Sequence, residues 1–476
     1  MAGSLLTTPG VSLTPSSVKA TLASNYITDF NFLNQYLPDT YETEFERYGN
    51  RSIASFLRNV SAEIPTASDL IKWAEQGRLH TKYTAATPIA GTTSGDDYVT
   101  FDIGTATCNF RVGQTVFISN NASSSSYRGL VTACPVAGDA TRFRVALYNA
   151  AGIAAGDVAA TFTVFVYGSE FKKGVGGMEG SLDPKDDFFE VKPVIIKDKF
   201  EVAGSDMAQI GWVEVTTENG AAGYLWYVKA EHETRLRFED YLEMMMIEHV
   251  PADQGSGVAT ELGAPSYPSP STEAAAGTQG LFDAIKTRGN VWSGGNPSTL
   301  GEFDDIVNRL DKQGAIAENV LFVNREFSFD IDDMLAAQNS YGVGGTSYGL
   351  FDNDKDMALN LGFTSFRRGY DFYKSDWKYL NDATLRGGIT GGAVNGVLIP
   401  AGTLSVYDQV MGKNMKRPFL HVRYRANEAE NRKMKTWITG SAGGAATSDL
   451  DAMQVNFLSE RALCTLGANN FVLFED

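Results

Sequence analysis

The chain has 476 residues, enough for about three domains of ordinary size. Its 57 acidic residues outnumber 40 basic ones, and the net charge of −17 argues against tight binding of the whole surface to nucleic acid or anionic lipid. Hydrophobic residues make up 43%, so a sizeable core can form and global disorder is excluded. No apolar run reaches the roughly 18 residues of a membrane span, and the first residues lack the basic region of a signal peptide.

Cysteine and histidine are too sparse to predict a metal centre or histidine-based catalysis. The three cysteines include no CxxC pair and do not make a disulfide framework. His232-Glu233 lacks the second histidine of an H-E-x-x-H zinc motif, because Leu236 stands in its place. We therefore expect no metal and no cofactor.

Residues 1–60 are predicted to form an N-terminal arm, in which aromatic side chains follow neither helical nor strand spacing. Seven aromatic residues lie between positions 26 and 48: Tyr26, Phe30, Phe32, Tyr36, Tyr41, Phe45 and Tyr48. Such side chains need an apolar surface, either on their own domain or on a neighbouring subunit. The first four, Tyr26, Phe30, Phe32 and Tyr36, are candidate subunit contacts. Short helices are predicted over 51–60 and 68–76, the second with Ser68 as its cap.

Residues 84–168 are predicted to form an inserted all-β domain, because charged residues are scarce and short β-rich runs alternate with turn clusters. The predicted strands are 98–103, 108–112, 115–119, 130–134, 142–147 and 161–167. Clusters of turn-forming residues at 119–126 and 136–141 separate them. This spacing indicates a small sandwich or barrel that folds on its own.

Residues 169–200 are predicted to form an extended ribbon, since glycines and dense mixed charge leave too few apolar residues for a core. The chain returns through a strand-like run at 188–196, and a further strand is predicted at 208–216. Four charged residues of the ribbon are candidate inter-subunit contacts: Lys172, Lys173, Asp186 and Asp187.

The strongest helical pattern in the chain runs from 222 to 249, where apolar residues recur at intervals of three or four. Helices predicted at 281–287, 299–312 and 331–338 then alternate with strands at 320–323 and 397–407. The remaining predicted strands are 418–425, 434–439 and 455–475. This succession predicts an α+β fold with one long helix rather than a doubly wound sheet.

Two motifs that would carry chemistry are incomplete. Gly345 to Gly349 match G-x-S-x-G around Ser347, but a polar, glycine-rich stretch replaces the buried strand that should precede the serine. The acidic run that begins at Asp352 resembles a calcium loop, yet Met357 and Phe363 replace its glycine and its glutamate. The chain is therefore predicted not to be an enzyme, and a serine esterase built around Ser347 is an alternative from another class.

One basic cluster contrasts with the acidic background. Between 413 and 435 there are eight basic residues and two acidic ones. The members singled out as a basic patch are Arg423, Arg425, Arg432 and Lys433. Arg423 and Arg425 share one face of a predicted strand, because they are two residues apart. A site for phosphate or an acidic neighbour and a solvated surface both fit this cluster.

The order of these segments resembles the major capsid proteins of tailed bacteriophages, which share the Hong Kong 97-type fold. Three passages carry the resemblance: 303–335 with Asn324 between a strand and a helix, the VLIPAGTL run at 397–404, and 454–474 with Glu460-Arg461 near its centre. It covers residues 20–83 and 169–476 and is similar in particular to the capsid proteins of crAss-like gut phages. The inserted 84–168 domain departs from the minimal pattern of the family.

The resemblance implies a division of the chain into an arm, an extended loop, a spine helix, and peripheral and axial domains. It assigns 61–83 and 169–250 to the extended loop and to the peripheral domain with the spine helix. It assigns 251–405 to the axial domain and 406–476 to the C-terminal return strands of the peripheral domain.

The resemblance also implies a function and a set of partners. The chain would form the icosahedral shell of a virion as hexamers and pentamers, after synthesis in the host bacterial cytoplasm. Portal and decoration proteins would be its partners, and packaged DNA would touch the inner face non-specifically. An encapsulin-like compartment shares this fold and remains an alternative. So does a carbohydrate-binding structural protein that uses 84–168 as its binding module.

Overall fold

The computed structural model describes most of the chain after residue 53. The described residues are 54, 56–57, 62–89, 97–104, 106–183, 186–208, 215–216, 222–223, 226–253, 256–262, 277–314, 316–339, 364–408, 413–442 and 446–476. The candidate arm contacts Tyr26, Phe30, Phe32 and Tyr36 lie outside these residues, and so do Ser347 and the acidic run that begins at Asp352. Their predicted roles stay predictions.

The described chain contains the following strands and helices, each kind numbered in chain order. The strands are β1 (Ala62–Thr66), β2 (Ile71–Gln76), β3 (Lys82–Pro88), β4 (Tyr98–Asp102), β5 (Gln114–Asn120), β6 (Ser126–Ala133), β7 (Arg142–Leu147), β8 (Phe162–Ser169), β9 (Asp186–Val191), β10 (Val194–Ala203), β11 (Val215–Thr216), β12 (Ala222–Gly223), β13 (Asn290–Trp292), β14 (Glu318–Val323), β15 (Ser365–Arg368), β16 (Tyr370–Asp376), β17 (Val394–Pro400), β18 (Thr403–Asp408), β19 (Lys413–Pro418), β20 (Leu420–Arg425), β21 (Lys435–Gly440), β22 (Ala452–Thr465) and β23 (Val472–Glu475). The helices are α1 (Gly204–Met207), α2 (Trp226–Glu248), α3 (Gly257–Glu261), α4 (Leu281–Arg288), α5 (Leu300–Gln313), α6 (Arg325–Asn339) and α7 (Lys378–Asn381).

The contacts within the chain separate two compact units. Residues 199–236 and 437–456 belong to the first unit, and residues 52–198, 237–436 and 457–476 belong to the second. Helices and strands occur together in the second unit, so the fold is α+β as predicted.

Six strands of the second unit close into an antiparallel barrel in the order β3-β4-β7-β6-β5-β8. Its interior is built from alternate residues of each strand, because successive side chains of a strand point to opposite faces. Phe101 of β4 and Phe143 of β7 are both fully buried, and their rings stack with centroids 5.4 Å apart. Phe110, between β4 and β5, meets Phe143 edge-on at 4.8 Å. The barrel therefore has an aromatic core of its own.

The structure corrects two sequence predictions near the barrel. The helix predicted at 68–76 is wrong, because residues 71–76 form strand β2. There Ile71 and Trp73 alternate with more exposed residues, a period of two that suits a strand. The strand predicted at 108–112 is also wrong: the segment forms no ladder, although Phe110 enters the barrel core. Strand β3 was not predicted, since its sequence KYTAATP has little alternation and ends in proline.

A mixed six-stranded sheet forms a second core, in the order β13-β23-β17-β14-β16-β15. Every residue of β17 is buried, as expected for a central strand. Helices α5 and α6 contribute Phe303 and Phe327 to the same cluster as Phe372 and Phe474. The sequence allows either Ser298 or Thr299 as the cap of α5, and Thr299 takes this role: Thr299 Oγ1 accepts the N–H of Glu302, whose carboxylate accepts the N–H of Thr299.

A third sheet has the strand order β1-β20-β22-β10, with β21 also on β22. In the second unit, β1 runs parallel to β20, and β20 runs antiparallel to β22. In the first unit, the Gln454 side chain of β22 bonds to Glu201 of β10 and contacts Thr439 of β21. Strand β22 spans 14 residues, most of them buried.

The predicted long helix is confirmed as α2, which spans 23 residues or roughly 35 Å. It begins at Trp226 rather than at 222, and residues 222–223 instead form β12, paired with β11. Phe238, Leu242 and Met246 recur every four residues and are buried in the second unit. The Phe238 ring lies 5.7 Å from the ring of Phe457. This half of the helix is therefore a core element.

Candidate functional site: the ribbon, its base and the basic patch

Strands β2 and β9 form an isolated two-stranded ribbon that leads into the barrel. The register pairs Ile71 with Val191 at one end and Gln76 with Asp186 at the other. Lys72 and Glu190 face each other across the ladder and form an ion pair of 2.5 Å. Among the described residues neither strand has a second partner. Each therefore presents an edge of unpaired backbone groups, which is a template for pairing with another chain.

The segment between β8 and β9, residues 170–183, is the tip of the ribbon and has no core. All described residues from 167 to 183 are exposed to solvent. They include large apolar side chains with exposed fractions between 39% and 58%: Phe171, Val175, Met178 and Leu182. On β9, Phe188 is 72% exposed. An extended segment with this much exposed apolar surface indicates a contact surface for another molecule.

A few contacts with the barrel hold this segment. Arg111 donates from Nη2 to the carbonyl of Ser181 at 2.6 Å, and Glu170 N donates to the carbonyl of Gly113 at 2.9 Å. The Phe171 ring lies over Gly113, where a Cβ atom would come within 2.5 Å of it. Gly113 also has a φ of +92°, so only glycine fits this position without strain. The segment is thus tethered to the barrel without being buried by it.

The candidate contact residues of the ribbon fall in two places. Lys172 and Lys173 lie in the exposed segment, and Asp186 and Asp187 begin β9. Among the described residues, no salt bridge involves any of these four side chains. Their role in contacts between subunits stays a prediction.

The base of the ribbon is held by a stacked arginine that the sequence did not reveal. Arg288, the last residue of α4, places its guanidinium 4.5 Å from the ring centroid of Phe189 and 5.6 Å from that of Trp73. Arg288 Nη1 lies 3.6 Å from Glu75. Burial lowers the pKa of Arg288 from its usual value, and Glu75 acts in the opposite direction. The charge persists, because an arginine pKa stays far above neutral pH.

Glu75 connects the ribbon base to the strand β22 region. Its Oε1 accepts hydrogen bonds from Trp73 Nε1 and from the N–H of Gly467, each 2.9 Å long. Ile71 and Val191 pack against Ala462 and Cys464 of β22 in one small cluster. The ribbon is therefore anchored at its base and exposed at its tip.

The basic patch is brought together by β20 and the loop after it, but acidic residues from distant parts of the chain meet its charges. Arg425 pairs with Asp69 and lies 3.7 Å from Glu460. Arg432 lies 2.7 Å from Glu460, which is only 6% exposed. These carboxylates lie far from the patch in sequence, so spacing alone did not predict them.

The other two patch residues also have internal contacts. Lys433 pairs with Glu63 of β1, and Arg423 Nη1 lies 3.4 Å from the carbonyl of Pro65. Glu63 and Lys433 line a cavity of about 180 Å³ together with Arg461. Carboxylates pair with Arg425, Arg432 and Lys433, so the patch has much less unpaired positive charge than its sequence suggested.

The C-terminal end of α2 is fixed by a partly buried polar cluster. Glu248 accepts hydrogen bonds from Tyr379 Oη at 2.6 Å and from Arg386 Nη2 at 2.7 Å. The Arg386 guanidinium lies 5.1 Å from the ring centroid of Phe282 on α4. Burial and the bond to Glu248 raise the pKa of Tyr379, so its hydroxyl stays a donor at neutral pH. These contacts fix the end of the long helix to the second core.

Two other kinds of site are absent from the described residues. Among the described residues, no three His, Cys, Asp or Glu side chains are grouped so that they would hold a metal ion. No described helix has the length and apolar character needed to cross a membrane.

Comparison with known proteins gives structural likenesses only. No family model and no curated protein matches the sequence. A structure from Microbacterium phage Oxtober96 aligns with a TM-score of 0.38 and 10% identity, over 93% of this chain and 96% of that one. The capsid of a native GTA particle aligns with a TM-score of 0.38 and 9% identity, over 96% and 99%. The SrpI encapsulin from Synechococcus elongatus PCC 7942 aligns with a TM-score of 0.33 and 12% identity, over 62% and 75%. Similarity at this level does not assign the chain to a family.

Proposed function

We propose that the chain is the major capsid protein of a tailed bacteriophage and self-assembles into the icosahedral shell that encloses a double-stranded DNA genome. The ribbon and its exposed tip carry this proposal. Residues 167–183 are all exposed to solvent. Among the described residues, the outer edges of strands β2 and β9 have no partner strand. Surface of this kind is costly in an isolated chain and gains when a neighbouring subunit covers it.

The extended form of the exposed segment suits a subunit contact. A specific interface buries about 1,200–2,000 Å² in total, and an extended ribbon supplies such area without a deep core. Individually weak contacts suffice, because each recurs at every equivalent interface of a symmetric shell. Lys172, Lys173, Asp186 and Asp187 would supply charged contacts at the rim, and Phe171 and Phe188 would supply apolar ones.

The domain division extends this proposal. The fold would be of the Hong Kong 97 type, with α2 as the spine helix and the mixed six-stranded sheet in the axial domain of 251–405. Strands β20 and β22 would be return strands of the peripheral domain, and the barrel would be an insertion in the extended loop. Residues 1–60 would form an arm that lies on neighbouring subunits. The phage would belong to the crAss-like group.

Contacts with DNA would be weak and non-specific. The net charge of −17 disfavours tight adhesion of packaged DNA to the inner face. The basic patch adds little, because Asp69, Glu460 and Glu63 already pair with Arg425, Arg432 and Lys433. Its main role would be to fix the 426–434 loop against β1 and β22.

Electron microscopy and sedimentation of the full-length protein expressed alone test the proposal. We expect closed shells of uniform size, built from hexamers and pentamers. A protein that stays monomeric over a wide range of salt and concentration would contradict it. Particles from the natural source separate the two kinds of shell: nuclease-protected double-stranded DNA supports the capsid, whereas protein cargo alone supports an encapsulin-like compartment.

A further inference from the structure

Two of the three cysteines lie side by side in the barrel. Cys108 Sγ and Cys134 Sγ are 2.6 Å apart, and both residues are free thiols. Cys108 is buried in the barrel core, and Cys134 is partly exposed and packs against that core. The third cysteine, Cys464, lies in β22 and belongs to a different cluster. Only the barrel pair therefore has the proximity that a disulfide needs.

The backbone on both sides fixes this arrangement. Cys134 directly follows β6, and the N–H of Cys108 donates to the carbonyl of Ala140 at 2.8 Å. The Tyr83 hydroxyl donates to the carbonyl of Thr107 and accepts the N–H of Asn109, at 3.0 and 2.9 Å. Both neighbours of Cys108 are thus held in place, so the two sulfur atoms meet without a rearrangement of the barrel.

The two thiols are not equivalent. The hydrogen bond between the two thiols lowers the pKa of Cys134, and the positive charge of Arg111 adds to this effect. Cys134 is also the more exposed of the two. Because the thiolate is the reactive form, Cys134 is the thiol that reacts first with a small molecule.

We propose that Cys108 and Cys134 are a redox pair, which closes to an intramolecular disulfide when the chain meets a small-molecule disulfide such as oxidised glutathione. The Cys134 thiolate attacks one sulfur of glutathione disulfide, a mixed disulfide forms, and one glutathione thiolate leaves. Cys108 then loses its proton, attacks Sγ of Cys134, and displaces the second glutathione thiolate. The protein loses two hydrogen atoms in all, and one glutathione disulfide becomes two reduced glutathiones.

The link would stabilise a part of the barrel that lacks a ladder. Cys108 lies in the irregular segment between β4 and β5, so the disulfide would join this segment to the end of β6. Closing the loop from 108 to 134 restricts the unfolded chain, which raises stability when the native geometry is already suitable. This pairing is a property of the barrel alone and does not depend on the function proposed above.

Counting thiols in the full-length protein tests the proposal. The protein is incubated with excess oxidised or reduced glutathione, denatured, alkylated with a maleimide, and digested for mass spectrometry. We expect three alkylated cysteines in the reduced sample and only Cys464 in the oxidised one, with a peptide pair that joins Cys108 to Cys134. Three alkylated cysteines after oxidation, a stable glutathione adduct on Cys134, or a link that involves Cys464 or two chains would overturn the proposal.

A thermal melt gives an independent readout. Oxidation should raise the midpoint of the barrel's unfolding transition by several degrees in the full-length wild-type protein. The same midpoint should not change in the full-length Cys134→Ser variant. Serine is a small replacement at a partly exposed position, so we expect the variant to fold. An equal rise in both proteins would show that the oxidant acts elsewhere and would contradict the pairing.

Discussion

The barrel and the ribbon tip are consecutive in the chain but differ in how they treat apolar side chains: the barrel buries them and the tip exposes them. The barrel buries Phe101, Phe143 and Phe162 completely, because its strands alternate inward and outward residues around a closed sheet. The segment from 170 to 183 buries none of its described residues, although it also carries large apolar side chains. The barrel is therefore stabilised by its own core, whereas the exposed apolar side chains of the tip are available for contact with another molecule.

The contrast shows that composition alone does not place an aromatic residue. Phe143 is fully buried and Phe188 is 72% exposed, yet both lie in strands of similar length. The enclosed space makes the difference: Phe143 points into the interior of a closed barrel, whereas β9 belongs to a two-stranded ribbon that encloses no interior.

The largest loss of stability is expected from Phe143→Ala in the barrel, with Phe188→Ala on the ribbon as its counterpart. Phe143→Ala should destabilise the barrel by about 3–5 kcal/mol, because it removes a buried ring that contacts Phe101 and Phe110. Phe188→Ala should change the free energy of unfolding of the unassembled chain by less than about 0.5 kcal/mol. Denaturant unfolding followed by circular dichroism measures both values. Similar losses in the two variants would show that the ribbon is covered by its own chain.

The second largest loss of stability is expected at the base of the ribbon. Arg288→Gln removes a charge that lies over Phe189 and Trp73 and beside Glu75, and should cost about 1–3 kcal/mol. Arg288→Lys is the matched control, since it keeps the charge but loses the planar group that stacks, so it should recover only part of the loss. Unfolding of the unassembled chain is again the measurement. Full recovery by lysine would show that stacking contributes nothing.

A smaller effect is expected at the start of α5. Thr299→Ala removes one half of the capping box and should cost about 1 kcal/mol at neutral pH. The N–H groups of Ser298 and Thr299 lower the pKa of Glu302. The stability that Glu302 supplies is therefore present above its unfolded pKa of about 4.3 and is lost as the pH falls through its lower folded pKa. The difference in free energy of unfolding between wild type and Glu302→Ala, measured by denaturant unfolding, should become smaller in acid. A difference that does not change with pH would contradict this assignment.

Much of the local structure was predictable because it depends on near neighbours. The strand at 142–147 follows from its β-rich run between turn clusters, and the start of α5 follows from Thr299 and Glu302. The helix predicted at 68–76 failed, because a short alternating run takes its form from its partner β9, more than a hundred positions away.

The candidate site was harder to predict for the same reason. Lys172 and Lys173 are exposed as a polar, glycine-rich run suggests. The partners of the basic patch lie on β1, on β22 and at Asp69, and only the fold brings them together. Arg288 had no sequence signal, since stacking on Trp73 and Phe189 depends on the pairing of two distant strands.

The smallest effect on stability is expected at the tip itself. Reversal of both Lys172 and Lys173 to Glu should change the free energy of unfolding by less than about 0.5 kcal/mol, because neither has an ion-pair partner among the described residues. The yield of assembled particles should nevertheless fall, and sedimentation measures it. Lys312→Glu, at an exposed position of α5, controls for charge reversal as such. An unchanged yield at low and high salt would remove these lysines from the subunit contact.

Amide hydrogen exchange tests most directly the claim that the tip is completed by a neighbouring subunit. In the unassembled chain, residues 170–183 should exchange quickly, while the barrel strands are protected by their ladders. In assembled particles the barrel should change little, and exchange in 170–183 and along the edges of β2 and β9 should slow by about tenfold or more. Exchange in 170–183 that is equally fast in particles and in the free chain would contradict the account.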